Sequence, residues 1–208
     1  MVQFIQAQNI GIAYLEARFD LEQTDNDGFF TEWLENLPEI SDLEKQYLDR
    51  VKLHFLRLVK HPPLSEETVK LVVLSPLLSL AGFYDEPFLI RSESSIEIAV
   101  EDQEEVIKGR IDVLVIQQQL WLLVIESKKP AFSLLEAIPQ ALTYMLANPQ
   151  PTRPVFGLVM NGSDFIFIKL SQINQPQYAL SDQFTLLKRE NELYQVFRIL
   201  KKLGQILN

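Results

Sequence analysis

Two short stretches decide how the chain is read: Gly109-Arg110-Ile111-Asp112 and Val124-Ile125-Glu126-Ser127-Lys128. Each lies in an apolar, Val/Ile/Leu-rich run, residues 106–116 and 120–128, that reads as a strand. Side chains alternate along a strand, so Glu126 and Lys128 share a face with Leu122 and Val124. If Gln117-Gln118-Gln119 is a three-residue hairpin loop, Ile116 pairs with Leu120 and Asp112 stands opposite Val124. Asp112 and Glu126 are then diagonal neighbours with converging carboxylates, a placement that a one-residue slip would undo.

Two carboxylates and an ammonium at the ends of apolar strands are expensive to desolvate unless they serve one another or a cation. The set suits a hard divalent cation, with two anionic oxygen ligands and remaining positions for water and a phosphate oxygen. Lys128 would then orient or deprotonate an attacking water, or stabilise charge growing on the phosphate. The same three residues can equally form a buried ion network that merely ends two strands.

The flanking chain alternates helix and strand signals. Ser41 with Glu44 three residues on forms a capping box for a helix running to about residue 59, with an apolar stripe of Leu43, Tyr47, Val51, Phe55 and Leu58. His61-Pro62-Pro63 ends it. Ser65 caps a second, nearly buried helix over 68–81, which Pro76 is expected to kink and Gly82 to stop. Strands follow at 95–100, 106–116 and 120–128, then a helix at about 134–146, strands at 155–160 and 165–170 joined by Asn161-Gly162, and a last helix at about 190–207. Thr24-Asp25-Asn26-Asp27-Gly28 marks a loop, and Phe29, Phe30, Trp33 and Leu34 after it must pack on something. The order predicts an α/β fold, a mixed β-sheet flanked by α-helices, with residues 1–60 as an N-terminal helical extension on a core of 61–208 in one unit.

Composition removes several classes. The 208 residues carry 47% hydrophobic residues, enough for a core, and no cysteine, which excludes disulfide frameworks, thiolate metal sites and Cys nucleophiles. With only His54 and His61, a three-histidine metal site within one chain is impossible, and both are read as ordinary helix residues. Trp33 and Trp121 read as packing aromatics. No apolar run is long enough to span a bilayer, and Met1-Val2-Gln3-Phe4-Ile5 has no basic export leader, so a cytoplasmic protein is expected. Nineteen Lys and Arg against 28 Asp and Glu give a formal net charge of −9, which argues against coating nucleic acid by bulk electrostatics. Lys108, Arg110 and Lys129 supply local positive charge near the carboxylates, and Lys188-Arg189 with Lys201-Lys202 a weaker patch.

An Asp followed fourteen positions later by Glu-x-Lys at a strand end resembles the PD-(D/E)xK nuclease superfamily. The local likeness is to the N-terminal nuclease domain of type I restriction enzyme R subunits and to RecB-like nucleases. These follow the strand pair with a helix bearing Gln-x-x-x-Tyr, here Gln140-Ala141-Leu142-Thr143-Tyr144, whose Gln and Tyr share a helix face. The likeness spans about residues 65–170, with Ile111 where the motif's proline would stand. It implies a restriction-endonuclease-like fold and a Mg²⁺-dependent endodeoxyribonuclease tied to restriction or repair, with Mn²⁺ as a substitute. Asp112, Glu126 and the Ser127 backbone carbonyl would hold the metal, and Lys128 would be the catalytic lysine. An acidic residue on the first core helix would be Glu67 or Glu66, helical phasing with Leu71, Leu74 and Leu78 favouring Glu67. Gln140, Tyr144, Arg110 and Lys129 would support the site or position DNA. DNA is the implied partner, held weakly at this charge, with a partner subunit or a homodimer to deliver it. The alternative is a non-catalytic nucleic-acid-binding or assembly module with a vestigial site.

Overall fold

A computed structural model describes residues 3–100, 105–117 and 120–206. The two apolar runs form strands β4 (Glu105–Gln117) and β5 (Leu120–Ser127). Around them lie β1 (Gln3–Gln6), β2 (Glu22–Gln23), β3 (Phe88–Val100), β6 (Val155–Met160), β7 (Asp164–Ser171), β8 (Gln177–Leu180) and β9 (Phe184–Thr185). Among the described residues these make one nine-stranded mixed sheet in the order β1-β4-β5-β6-β7-β8-β2, with β3 on β4 and β9 on β7. The helices are α1 (Ile12–Phe19), α2 (Asp42–Leu58), α3 (Glu66–Val69), α4 (Ser75–Leu80), α5 (Leu134–Leu146) and α6 (Leu193–Gln205). The expected mixed α/β fold is therefore present. Residues 3–60 contribute β1 and β2 to the same sheet as well as α1 and α2.

Each face of the sheet buries its own apolar layer. Phe55, Leu77, Leu78, Phe197 and Leu200 from α2, α4 and α6 cover Val113, Val115, Leu123 and Ile125. Leu15 of α1 with Leu142 and Met145 of α5 covers Leu114, Ile116 and Val124 on the other. At roughly 1.5–3 kcal/mol for each large apolar side chain removed from water, these layers are the main favourable term of the fold. The parallel pair β5 and β6 is joined through α5, as a parallel connection requires.

Ser41 and Glu44 make the expected reciprocal capping box on α2. Its buried stripe is Leu48, Val51 and Phe55, however, and the expected Leu43 and Tyr47 are exposed. The apolar face of α2 starts one turn later than the sequence suggests. α5 runs over Leu134–Leu146 with Pro139 inside it.

The helix expected over 68–81 is not a single α-helix. A π turn, Lys70–Leu74, separates α3 from α4, and its closing bond runs from the Ser75 N–H to the Lys70 carbonyl. Pro76 follows at once in the first turn of α4. Proline lacks an N–H and crowds the carbonyl four residues back, so one wider turn before it relieves the conflict that was expected as a kink. The inserted residue rotates everything upstream relative to Leu74, Leu77 and Leu78, which are buried. Leu71, expected in their row, is 72% exposed.

The hairpin register also differs from expectation. Gln117 pairs with Leu120 and Ile116 with Trp121, after which Val115 pairs with Leu123. Leu122 is thus the extra residue of a β-bulge, and Val124 stands opposite Leu114 rather than Asp112. Gln118 and Gln119 lie outside the described residues. Without the bulge, Asp112 would fall opposite Ile125, on the wrong face for Glu126. With it, the register runs through Val113 and Ile125 to set Asp112 beside Glu126.

Candidate active site

β4 does not keep one alternation along its length. Ile107 and Ile111 pack on the α5 side, as do Leu114 and Ile116, while Val113 and Val115 pack on the opposite side. The alternation breaks at Asp112. On β3 the break faces Glu93, which lies between the pairs Ser92 with Val113 and Ser94 with Ile111 and has φ of 55°. Asp112 takes over a ladder role with its side chain: Oδ2 accepts the Ser127 backbone N–H at 2.8 Å. Its Oδ1 accepts from Lys70 Nζ at 2.7 Å.

Glu126 is buried at the end of β5. Oε1 accepts from Lys128 Nζ at 2.5 Å, and Oε2 is buried with no hydrogen-bond partner. Burial, reinforced by the charge of Asp112 and opposed by Lys128, pushes the Glu126 carboxyl up to about 8. Lys128 Nζ also donates to Gln140 Oε1 at 2.9 Å, and Gln140 Nε2 donates to Tyr144 Oη at 2.6 Å. An ammonium only donates, so the Gln140 carbonyl must face Lys128 and its amide must face the tyrosine. Burial pushes the Tyr144 hydroxyl up to about 12. A Cβ on Gly109 would stand 2.5 Å from the Tyr144 ring and 2.8 Å from Ala7, so only glycine lets this ring lie against β4. The Gln-x-x-x-Tyr pair thus braces Lys128 from one turn of α5.

Glu66, not Glu67, turns to these groups. Its Oε1 lies 3.3 Å from Lys70 Nζ, and burial with the nearby Asp112 charge raises its carboxyl. Glu67 is exposed at the rim. The extrapolation from Leu71, Leu74 and Leu78 fails because the π turn inserts a residue between the two halves of the helix.

Asp112, Glu126, Lys128, Gln140, Tyr144 and Glu66 all line one cavity of about 610 Å³, together with Lys70 and the segment Gln6–Gln8. Arg110 lines it too but is paired with Glu93, and Lys108 with Glu97. Lys129 is exposed, outside the cavity lining. Of the weaker patch, Lys201 on α6 bonds Glu44, while Lys188 and Arg189 lie exposed before α6, Lys188 paired with Glu192. Trp33 packs edge-on against Phe184, and Trp121 packs against the α5-side core. His54 and His61 flank a separate groove with Arg57 and Leu71. Sequence reasoning missed Lys70 and Glu93. The four-residue spacing of Glu66 and Lys70 was the available signal for the first.

The family model described as type I restriction enzyme R protein N terminus matches residues 23–175, more than half of the chain and the whole of this site except Gln6–Gln8. The chain belongs to that family. No curated protein matches the sequence significantly. Membership agrees with the restriction-endonuclease-like sheet and helices described above, and among the described residues no helix is long and apolar enough to cross a membrane.

The family's restriction-enzyme setting implies a divalent cation, and the residues can be tested for it. Asp112 and Glu126 are hard oxygen donors in adjacent register, and Glu126 Oε2 is a buried acceptor lacking a partner. Among the described residues no group of three His, Cys, Asp or Glu side chains is placed to hold a metal ion. A cation there would rest on two carboxylates, backbone carbonyl and water, a donor set that fits Mg²⁺ or Mn²⁺.

Proposed function

We propose that this member of the family is a Mg²⁺-dependent nuclease that hydrolyses DNA phosphodiester bonds, with Mn²⁺ able to replace Mg²⁺. The observation that carries the reading is the convergence of Asp112, Glu126 and Lys128 in one cavity, with Glu126 Oε2 buried and unpartnered. Asp112, Glu126 and the Ser127 carbonyl would hold the cation, which when bound supplies charge to the scissile phosphate and lowers the pKa of a water. Glu66 adds a carboxylate at the edge of the same cavity. Lys128, steadied by Gln140 and through it by Tyr144, orients the attacking water or stabilises the phosphate as charge builds. Family membership supports DNA as the substrate.

The charge of −9 and the pairing of Lys108 and Arg110 with glutamates point to weak intrinsic hold on DNA. We infer that a partner subunit, or a second copy in a homodimer, delivers the DNA, in a cytoplasmic setting. A specific observation also favours a second reading, a non-catalytic assembly module: both oxygens of Asp112 are already bonded, one of them to Lys70. Incubating the protein with plasmid and single-stranded DNA in Mg²⁺ or Mn²⁺ separates the two. The nuclease reading expects cleavage that Asp112→Ala abolishes; equal background from both proteins would overturn it and favour the assembly reading.

A further inference from the structure

We propose that Lys70 is a built-in counter-ion that competes with a divalent cation for Asp112 and so sets the metal affinity of the cavity. The inference rests on the reading of Asp112 as a cation ligand. Lys70 Nζ lies 2.7 Å from Asp112 Oδ1, 3.3 Å from Glu66 Oε1 and 3.6 Å from Glu93 Oε1. Three carboxylates from three separate elements surround one ammonium, whose side chain is 20% exposed.

The two central carboxylates are occupied differently. Asp112 has both oxygens engaged, Oδ1 by Lys70 and Oδ2 by the Ser127 N–H. Glu126 keeps Oε2 buried without a partner. A cation entering at Glu126 therefore finds one open oxygen donor, and must share or take Asp112 Oδ1 from an ammonium of like sign. The backbone at Lys70 is held firmly: its N–H is shared by the Glu66 and Glu67 carbonyls, and its carbonyl closes the π turn. Its four-carbon stem nevertheless allows the ammonium to withdraw toward Glu66 or Glu93 without moving the helix. Their four-residue spacing puts Glu66 and Lys70 on one side, and the π turn sets the phase of that side relative to the buried Leu74, Leu77 and Leu78.

Calorimetric titration with Mn²⁺, paired with thermal melts in EDTA, tests this on wild type, Lys70→Met and Lys70→Arg. The proposal expects Lys70→Met to bind Mn²⁺ at least about tenfold more tightly than wild type, and Lys70→Arg to show no such gain. It also expects Lys70→Met to melt lower in EDTA and to recover when Mn²⁺ is added, because Asp112 regains a counter-charge. Should Lys70→Met fail to fold, Lys70→Gln takes its place. Binding by Lys70→Met alone, with none by wild type, also supports the proposal. Affinity unchanged or weakened by Lys70→Met would overturn it while leaving the nuclease reading intact. Absence of Mn²⁺ binding in every protein would overturn both, and the wild-type titration distinguishes the two failures.

Discussion

The cavity is walled by two helical segments that behave differently. α5 is a regular helix over the residues its periodicity predicts, and it delivers Gln140 and Tyr144 to Lys128. The segment from Glu66 to Leu80 is broken by a π turn, and it delivers Glu66 and Lys70 to Asp112 on a phase that helical spacing misassigns. Hydrophobic periodicity locates a functional side chain only while the helix stays regular. One inserted residue preserves the helix and redirects the chemistry.

Each segment is seated on a glycine or a buried charge, so the contrast can be broken from either side. The largest expected effect is the pH dependence of stability on the α5 side. In EDTA, Glu126 keeps its proton in the folded chain up to about 8, whereas the ordinary value is 4.5. Between those values the folded state binds more protons than the unfolded, so stability falls as pH rises, at roughly 1 kcal/mol per pH unit, and levels off above about 8. Chemical denaturation across pH 5 to 9 should show this slope in wild type and not in Glu126→Gln; a slope equal in both would assign it to other groups.

Next comes the seat of the irregular helix. Gly162 has φ of +90°, and a Cβ there would stand 2.8 Å from Phe55 and 3.0 Å from Val69 of α3. Gly162→Ala should cost about 3 kcal/mol, read from the denaturation midpoint. Gly109→Ala disturbs the α5 side instead by pushing on the Tyr144 ring, and should cost about 2 kcal/mol. It should also slow DNA cleavage by displacing the brace on Lys128, whereas a stable, fully active variant would detach Tyr144 from the site. The smallest effect tests the π turn itself. Leu71→Ala should change stability by less than about 0.5 kcal/mol, while Leu74→Ala costs about 2–4 kcal/mol. Comparable losses at both positions would restore the regular helix that the sequence suggests.

The same contrast explains what was legible. Strands β4 to β7 and α5 announce themselves as apolar runs of strand or helix length, and the ordered Asp, Glu-x-Lys and Gln-x-x-x-Tyr signal adds the family likeness that the family model bears out. The first half of β3, Phe88-Leu89-Ile90-Arg91-Ser92-Glu93-Ser94, hides its strand character because three apolar residues in a row give way to four polar ones with no alternation. β1, β2, β8 and β9 are two to four residues long, too short for any period to emerge. Asp112 and Glu126 line one cavity, by another route than the one expected. The bulge at Leu122 and the break in alternation at Asp112 replace the simple three-residue loop, and neither leaves a trace in hydropathy. Lys70 was concealed for the reason that misdirected Glu67: a π turn shifts phase without changing composition.

We propose that Asp112, Glu126 and Lys128 form a working hydrolytic centre. Its most direct test is single-turnover cleavage of end-labelled DNA in Mg²⁺ by wild type and Lys128→Met, with Mn²⁺ binding measured on both. Such a centre predicts cleavage by wild type, a loss of at least about 10²-fold in Lys128→Met, and Mn²⁺ binding retained by the variant. Cleavage by wild type no faster than by Lys128→Met would contradict it.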